Sequence, residues 1–212
     1  MIQSDAMTEQ DLFYNSVLGW FLGSKAREEI VSKLLMKMKK SDSFLEIGCS
    51  EGHYLNKVEN NVKRCVGVDI EKEKVEEARK RTRKSEIILM KKNEKLPFKR
   101  NEFDWILATE VLEHIPEWKH TLRQMKLIAK KNLLITIPLE KSLWWSTASR
   151  LGWKKEMRKH CQELIASDIE KEMKKWKTKY KKFVFSPSTW LNKRINAEEK
   201  NSMYAVFLFE KN

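Results

Sequence analysis

Short apolar runs alternate with charged, amphipathic stretches along most of this chain, and the two periods assign its elements. The run Phe44 to Ile47 stops at Gly48, Cys49, Ser50, Glu51 and Gly52, and a helical segment starts near His53. A second run, Val66 to Ile70, carries Asp69 at its end. Ile87 to Met90, Phe103 to Thr109 and Asn132 to Ile137 read as three more buried strands, the last stopped by Pro138. Helices fill the spaces between. Ala26, Ile30, Leu34 and Met38 recur every fourth residue, Val31 and Leu35 widen the stripe, and Ser24 is placed to cap it. Val75, Ala78 and Thr82 mark a second helix, and Leu122, Met125 and Ile128 a third. Further on, Ser167 to Glu170 has the form of a capping box, opening a helix expected to bury Ile169, Met173 and Trp176. Tyr180 to Phe185 and Tyr204 to Phe209 read as two final strands, joined by a polar connection over 192–201.

Strands separated by helices need crossover connections, so the pattern predicts an α/β fold: a doubly wound, mostly parallel sheet with helices on both faces. Two stretches break the rhythm. Residues 12–22 are rich in aromatics, with Phe13, Tyr14, Trp20 and Phe21, and either pack into the core or close over a ligand. Residues 139–161 set Trp144, Trp145 and Trp153 among Lys141, Arg150, Lys154, Lys155, Arg158 and Lys159, and read as an insertion. We therefore expect one domain over 1–212: a helical cap (8–40), a ligand-binding core (44–138), the inserted segment (139–161) and a C-terminal helix with two strands (162–212).

The turn from Gly48 to Gly52 joins a buried strand to a helix, where glycine allows close backbone approach and the helix presents free N–H groups. Ligands of open α/β sheets gather at the carboxyl ends of strands, which puts Glu46 to Gly52, Asp69, Lys92, Asn93, Glu110 to His114 and Pro138 along one edge. Asp69 is placed to accept hydrogen bonds from a ribose. Ser50 replaces the middle glycine of a dinucleotide fingerprint and no Gly-Lys-Ser/Thr follows, so a phosphate site is disfavoured. A tight turn without a ligand is the alternative.

Composition narrows the setting. At 212 residues, 41% hydrophobic and 34% charged, the chain is long enough for one sizeable core. No apolar run is long enough to span a bilayer, and no secretion signal is evident. Cys49, Cys65 and Cys161 lie far apart, which excludes a disulfide scaffold or a thiolate zinc site and points to a reducing cytoplasm. Most of the net charge of +13 lies between Lys119 and Lys182, where 18 Lys and Arg face 6 Asp and Glu. This is either a solvated lysine face or a surface for an anionic partner, nucleic acid or lipid headgroups.

Glu46 to Gly52, Gly67 to Asp69, Leu96 to Phe98, Phe103-Asp104 and Glu110 to Ile115 resemble, in this order, the class I S-adenosylmethionine-dependent methyltransferases, and the small-molecule, type 11-like branch in particular. The resemblance implies a seven-stranded sheet whose last strand inserts antiparallel, with S-adenosylmethionine as cofactor. It implies that Glu46, Gly48, Cys49, Ser50 and Gly52 meet the methionine part, that Asp69 and Ile70 meet the ribose side, and that Asn93 and Glu110 complete the site. Asn93 stands in for an absent acid, since many relatives have Asp where this chain has Lys92. Should the acceptor hold a proton, His114, His160 and Glu110 are the candidate bases. No metal is assigned to that reading.

The acceptor is expected to be small or lipid-like and hydrophobic, reached under the Trp-rich insertion, whose composition also suits peripheral contact with an anionic membrane. The alternative is an RNA 2′-O-methyltransferase with a divalent metal on Glu110, Glu113, His114 and His160, a set that resembles the metal site of the small-RNA 3′-terminal enzymes. A noncatalytic binding module built on the same fold is a third reading.

Overall fold

The computed structural model describes residues 24–139, 160–184 and 202–212. The aromatic stretch 12–22, the polar connection 192–201 and all but the ends of the insertion 139–161 lie outside them. Seven strands, β1 (Ser43–Ile47), β2 (Arg64–Asp69), β3 (Glu86–Leu89), β4 (Phe103–Thr109), β5 (Ala129–Pro138), β6 (Trp176–Val184) and β7 (Tyr204–Lys211), form one sheet in the order β3-β2-β1-β4-β5-β7-β6. The pairs among β1 to β5 are parallel, and β7 runs antiparallel between β5 and β6. This is the α/β sheet that the sequence pattern predicts, with the inserted antiparallel last strand that the resemblance implies.

Alternation along each strand sends side chains into two apolar layers. On one face, Phe44, Trp105, Leu107, Leu134 and Val206 pack under α1 (Ser24–Leu35), α2 (His53–Val58) and α3 (Lys72–Arg81). On the other, Leu45, Ile47, Ile106, Ile135 and Phe207 pack under α4 (Trp118–Ile128) and α5 (Ala166–Glu172).

Four expectations shift. The buried stripe of α1 is Val31, Leu34 and Leu35, with Met38 buried just after the helix ends, leaving Ala26 and Ile30 only half-buried. Strand β5 begins at Ala129 rather than Asn132 and includes Pro138, which pairs with Tyr204 at the strand's end, where a missing N–H costs the ladder little. Helix α5 begins at Ala166, and Asp168, not Ser167, caps it by accepting a hydrogen bond from the Ile165 N–H at 3.2 Å. Trp176 leaves that helix to open β6, so the strand expected from Tyr180 begins four residues earlier.

Opposite the ligand edge, buried carboxylates fasten the strand starts. Asp104 Oδ2 accepts from the Ser43 N–H and Oγ at 2.9 Å each, tying β4 to β1, while Lys131 bridges Asp104 (2.9 Å) and Asp42 (3.0 Å). Glu59, just after α2, accepts from the N–H groups of Arg83, Lys84 and Ser85 and from the Ser85 hydroxyl, at 2.9–3.1 Å, and so pins the lead into β3. Burial by itself would raise its carboxyl pKa, but these donors hold it below the ordinary range.

Glu59→Gln should therefore lose about 1–3 kcal/mol of stability at neutral pH in urea unfolding, since three backbone donors then face a poorer partner. A folded pKa held below the unfolded one gives stability that is present above the unfolded value and fades as pH falls through the folded one. The gap between the two proteins should shrink on acidification; a gap that stays constant with pH would contradict this role.

Candidate functional site

The site grows from the C-terminal ends of β1, β2, β4 and β5. At the end of β1 the chain turns through Gly48 (φ 65°), Ser50 (φ 45°) and Gly52 (φ 74°), all left-handed. Gly48 is irreplaceable on two counts: its φ is costly for other residues, and an added Cβ would lie 2.4 Å from Val111 Cγ2. The Ser50 N–H donates to Asp69 Oδ2 at 2.7 Å and the Glu71 N–H to Asp69 Oδ1 at 3.0 Å, so the acid at the end of β2 locks the turn beside it. Each carboxylate oxygen keeps a second lone pair for a ligand hydroxyl. Next to it Ile70 is 56% exposed, an apolar surface in water suited to a flat heterocycle. Asn93 occupies an exposed turn after β3, left-handed at φ 63°. The Cys49 thiol is buried beneath the turn, and burial followed by the charges of Glu46 and Asp69 raises its pKa, so it stays a thiol.

Glu46 shares the face of Phe44, beneath α1. Only 2% of it is exposed, and its Oε2 has no hydrogen-bond partner among the described residues. Burial first, then the Asp69 charge, raises its pKa well above the usual range. The same layer holds Thr136 on β5 and Tyr204 on β7, and Arg27 of α1 closes over them. Arg27 Nη1 lies 2.9 Å from Glu110 Oε2, its Cζ 4.8 Å from the Tyr204 ring centre, and Thr136 Oγ1 donates to Glu110 Oε1 at 3.2 Å.

Glu110 follows β4 at φ 54° and does not share a helical face with Glu113 and His114, which belong to a 3₁₀ turn (Leu112–His114). Burial raises the Glu110 pKa and Arg27 opposes the shift, so this carboxylate is engaged by a guanidinium rather than standing as an unengaged base. Glu113 is fully buried, and burial, then Glu110, raises its pKa as well. His114 and His160 meet edge to face with ring centres 4.6 Å apart. Burial and His114 together lower the His160 pKa to about 4, leaving a neutral imidazole at neutral pH.

Sequence reasoning missed Arg27. The signal was available: Arg27, Val31, Leu34, Leu35 and Met38 follow the helical period, so the charged residue sits on the face that packs against the sheet, where an unpaired charge would be costly.

Residues 45–136 match the family model described as a methyltransferase domain. Over 93 residues the chain is 38% identical to an uncharacterized protein of Methanocaldococcus jannaschii, a stretch covering 44% of this chain and 42% of that relative. The match thus spans less than half the length of the curated relative. Among solved structures, a SAM dependent methyltransferase from Archaeoglobus fulgidus superposes with a TM-score of 0.68 at 16% identity, covering 96% of this chain and 100% of the other. Magnesium protoporphyrin IX methyltransferase from Synechocystis PCC 6803, with bound SAH, gives 0.70 at 14% identity over 93% and 88%. These two likenesses carry the fold.

The edge fits S-adenosylmethionine. An orphaned buried carboxylate oxygen on Glu46 suits the ammonium group, Asp69 the ribose and Ile70 the adenine, and the glycine turn leaves the backbone open to close approach.

Asp69→Ala should weaken binding of S-adenosylhomocysteine in calorimetric titration by at least about tenfold, the loss of charge-assisted hydrogen bonds; unchanged affinity would remove Asp69 from the site. Arg27→Met should destabilise the fold by about 1–3 kcal/mol, because the half-buried Glu110 loses its guanidinium partner. Adding Glu110→Gln should recover part of that loss. Strictly additive effects in the double-mutant cycle would show that the two side chains are not coupled.

Proposed function

We propose that this chain, a class I S-adenosylmethionine-dependent methyltransferase by its domain match over residues 45–136 and by its fold, transfers a methyl group to a small or lipid-like hydrophobic acceptor. The cofactor supplies an activated methyl group on a sulfonium. What the protein adds is positioning and exclusion of water. Glu46 holds the cationic amino end, Asp69 and the Gly48–Gly52 turn fix the middle, and Ile70 offers an apolar rest for the base. Arg27 anchors α1 over this edge through Glu110 and Tyr204, covering the polar layer from above.

The observation that carries the acceptor reading is where segment 140–159 is tethered. On one side the Leu139 N–H donates to Met203 O at 2.7 Å, just beyond the end of β5; on the other, the Cys161 N–H donates to Glu113 O at 2.8 Å. Both tethers lie at the ligand edge, and the sequence between them carries Trp144, Trp145 and Trp153. Three tryptophans between such anchors favour an apolar guest. The edge-to-face pair of His160 and His114 beside these tethers supports this end of the site as the place where the acceptor meets the methyl group.

Labelled cofactor incubated with fractionated cell extract should pass its methyl label into the organic-extractable fraction. Trp144→Ala should raise KM for the acceptor while leaving affinity for S-adenosylhomocysteine intact. Label entering RNA instead, with activity falling steeply as salt rises, would overturn this reading in favour of the nucleic-acid alternative.

A further inference from the structure

Beside the cofactor edge, the 3₁₀ turn and the segment from His160 onward converge. Glu113, His114 and His160 each present one ligand atom, and these atoms all lie within 4.8 Å of one another. The two imidazoles stand edge to face, their planes 73° apart. Glu113 is 0% exposed, and neither of its carboxylate oxygens has a hydrogen-bond partner among the described residues. A carboxylate buried without donors calls for a cation or a proton.

The ligand-bearing segments are fastened through backbone groups and the side chains of Cys161 and Gln162. The Cys161 N–H donates to Glu113 O at 2.8 Å, and Gln162 Nε2 donates to Leu112 O at 3.0 Å and Ile115 O at 2.7 Å. Cys161 Sγ adds a contact to His114 O at 3.3 Å. The framework therefore stands without an ion, as a preorganised site requires.

We propose that Glu113, His114 and His160 bind one divalent transition-metal ion. Two imidazoles and one carboxylate suit borderline ions such as Zn²⁺ or Co²⁺ better than Mg²⁺ or Ca²⁺, which take oxygen donors. Neighbouring ligands of a tetrahedral ion stand about 3.3 Å apart at bond lengths of about 2.0–2.1 Å, so a side-chain movement of about 1.5 Å closes the set. Glu110, the fourth member suggested by the sequence, is engaged by Arg27 and Thr136 instead. Three protein ligands leave coordination positions for water or an oxygen of the acceptor. The exposed flank of His114 gives the ion its way in.

The test uses the full chain freed of metal by a chelator. Titration with Co²⁺ followed by ligand-field absorption, and with Zn²⁺ by calorimetry, should show one equivalent bound and a rise in Tm. His160→Ala and Glu113→Gln should each weaken binding by at least about 100-fold, a ligand counting for no less than an outer-shell partner. Circular dichroism should show both variants folded; His160→Ala, at a half-buried position, carries the test if Glu113→Gln does not fold. Cys161→Ser should leave binding unchanged. Absence of stoichiometric binding, binding that survives in the folded variants, or loss of binding in Cys161→Ser would overturn the assignment. Affinity for S-adenosylhomocysteine, measured in parallel, separates this outcome from any failure of the cofactor site.

Discussion

A parallel sheet covered by helices on both faces has no room for polar chemistry except at the ends of its strands. That constraint organises this protein. Along β1, β4, β5 and β7 the side chains alternate between two apolar layers, and each layer turns polar only in its last row: Glu46, Thr136 and Tyr204 on the face beneath α1, with Glu110 at the end of β4. Polar groups at the opposite ends serve stability. Asp42 and Asp104, linked by Lys131, join the strand starts and stand far from any ligand edge in the sheet.

The electrostatics of that last row run against the charge of the whole. The chain carries a net +13, yet Glu46, Asp69, Glu110 and Glu113 gather at the ligand edge with Arg27 engaging one of them. A site of this sign suits a cationic cofactor. Carboxylates that lose water cost stability unless paired; Glu46 and Glu113 are buried, Asp69 and Glu110 half-buried, and the structure answers each differently. Glu110 has a guanidinium, Asp69 two backbone N–H groups, and Glu46 and Glu113 keep oxygens without partners among the described residues. Basic side chains are placed outside: Lys177, Lys179, Lys181 and Lys182 stud β6, the edge strand of the sheet, where their charge also guards against pairing with another chain.

The fold was legible because its signals are local. Phe103 to Thr109 is a mainly apolar run broken only by Asp104, and the strand recovered there has the same two ends. Errors fell where local pattern and long-range pairing disagree. Ala129-Lys130-Lys131 looks like the solvent end of a helix, but pairing with β4 draws it into β5. Trp176 continues the helical period of Ile169 and Met173, but pairing with Lys211 makes it the first residue of a strand.

From the sequence alone came the order of the strands along the chain, the glycine turn, the acid at the end of the second strand and the family they resemble, because each rests on residues close together in the chain. The company those residues keep was decided by the tertiary structure. Arg27 lies before the matched stretch and Glu110 within it, and they meet only because α1 lies across the finished sheet. Glu110 and Glu113, three apart and expected on one face, part because the left-handed backbone at Glu110 ends the strand before the 3₁₀ turn begins. His160, at the far end of the Trp-rich insertion, reaches His114 through hydrogen bonds of Cys161 and Gln162 to the turn's backbone carbonyls. Such pairings depend on where the sheet brings distant chain ends, and no periodicity records that.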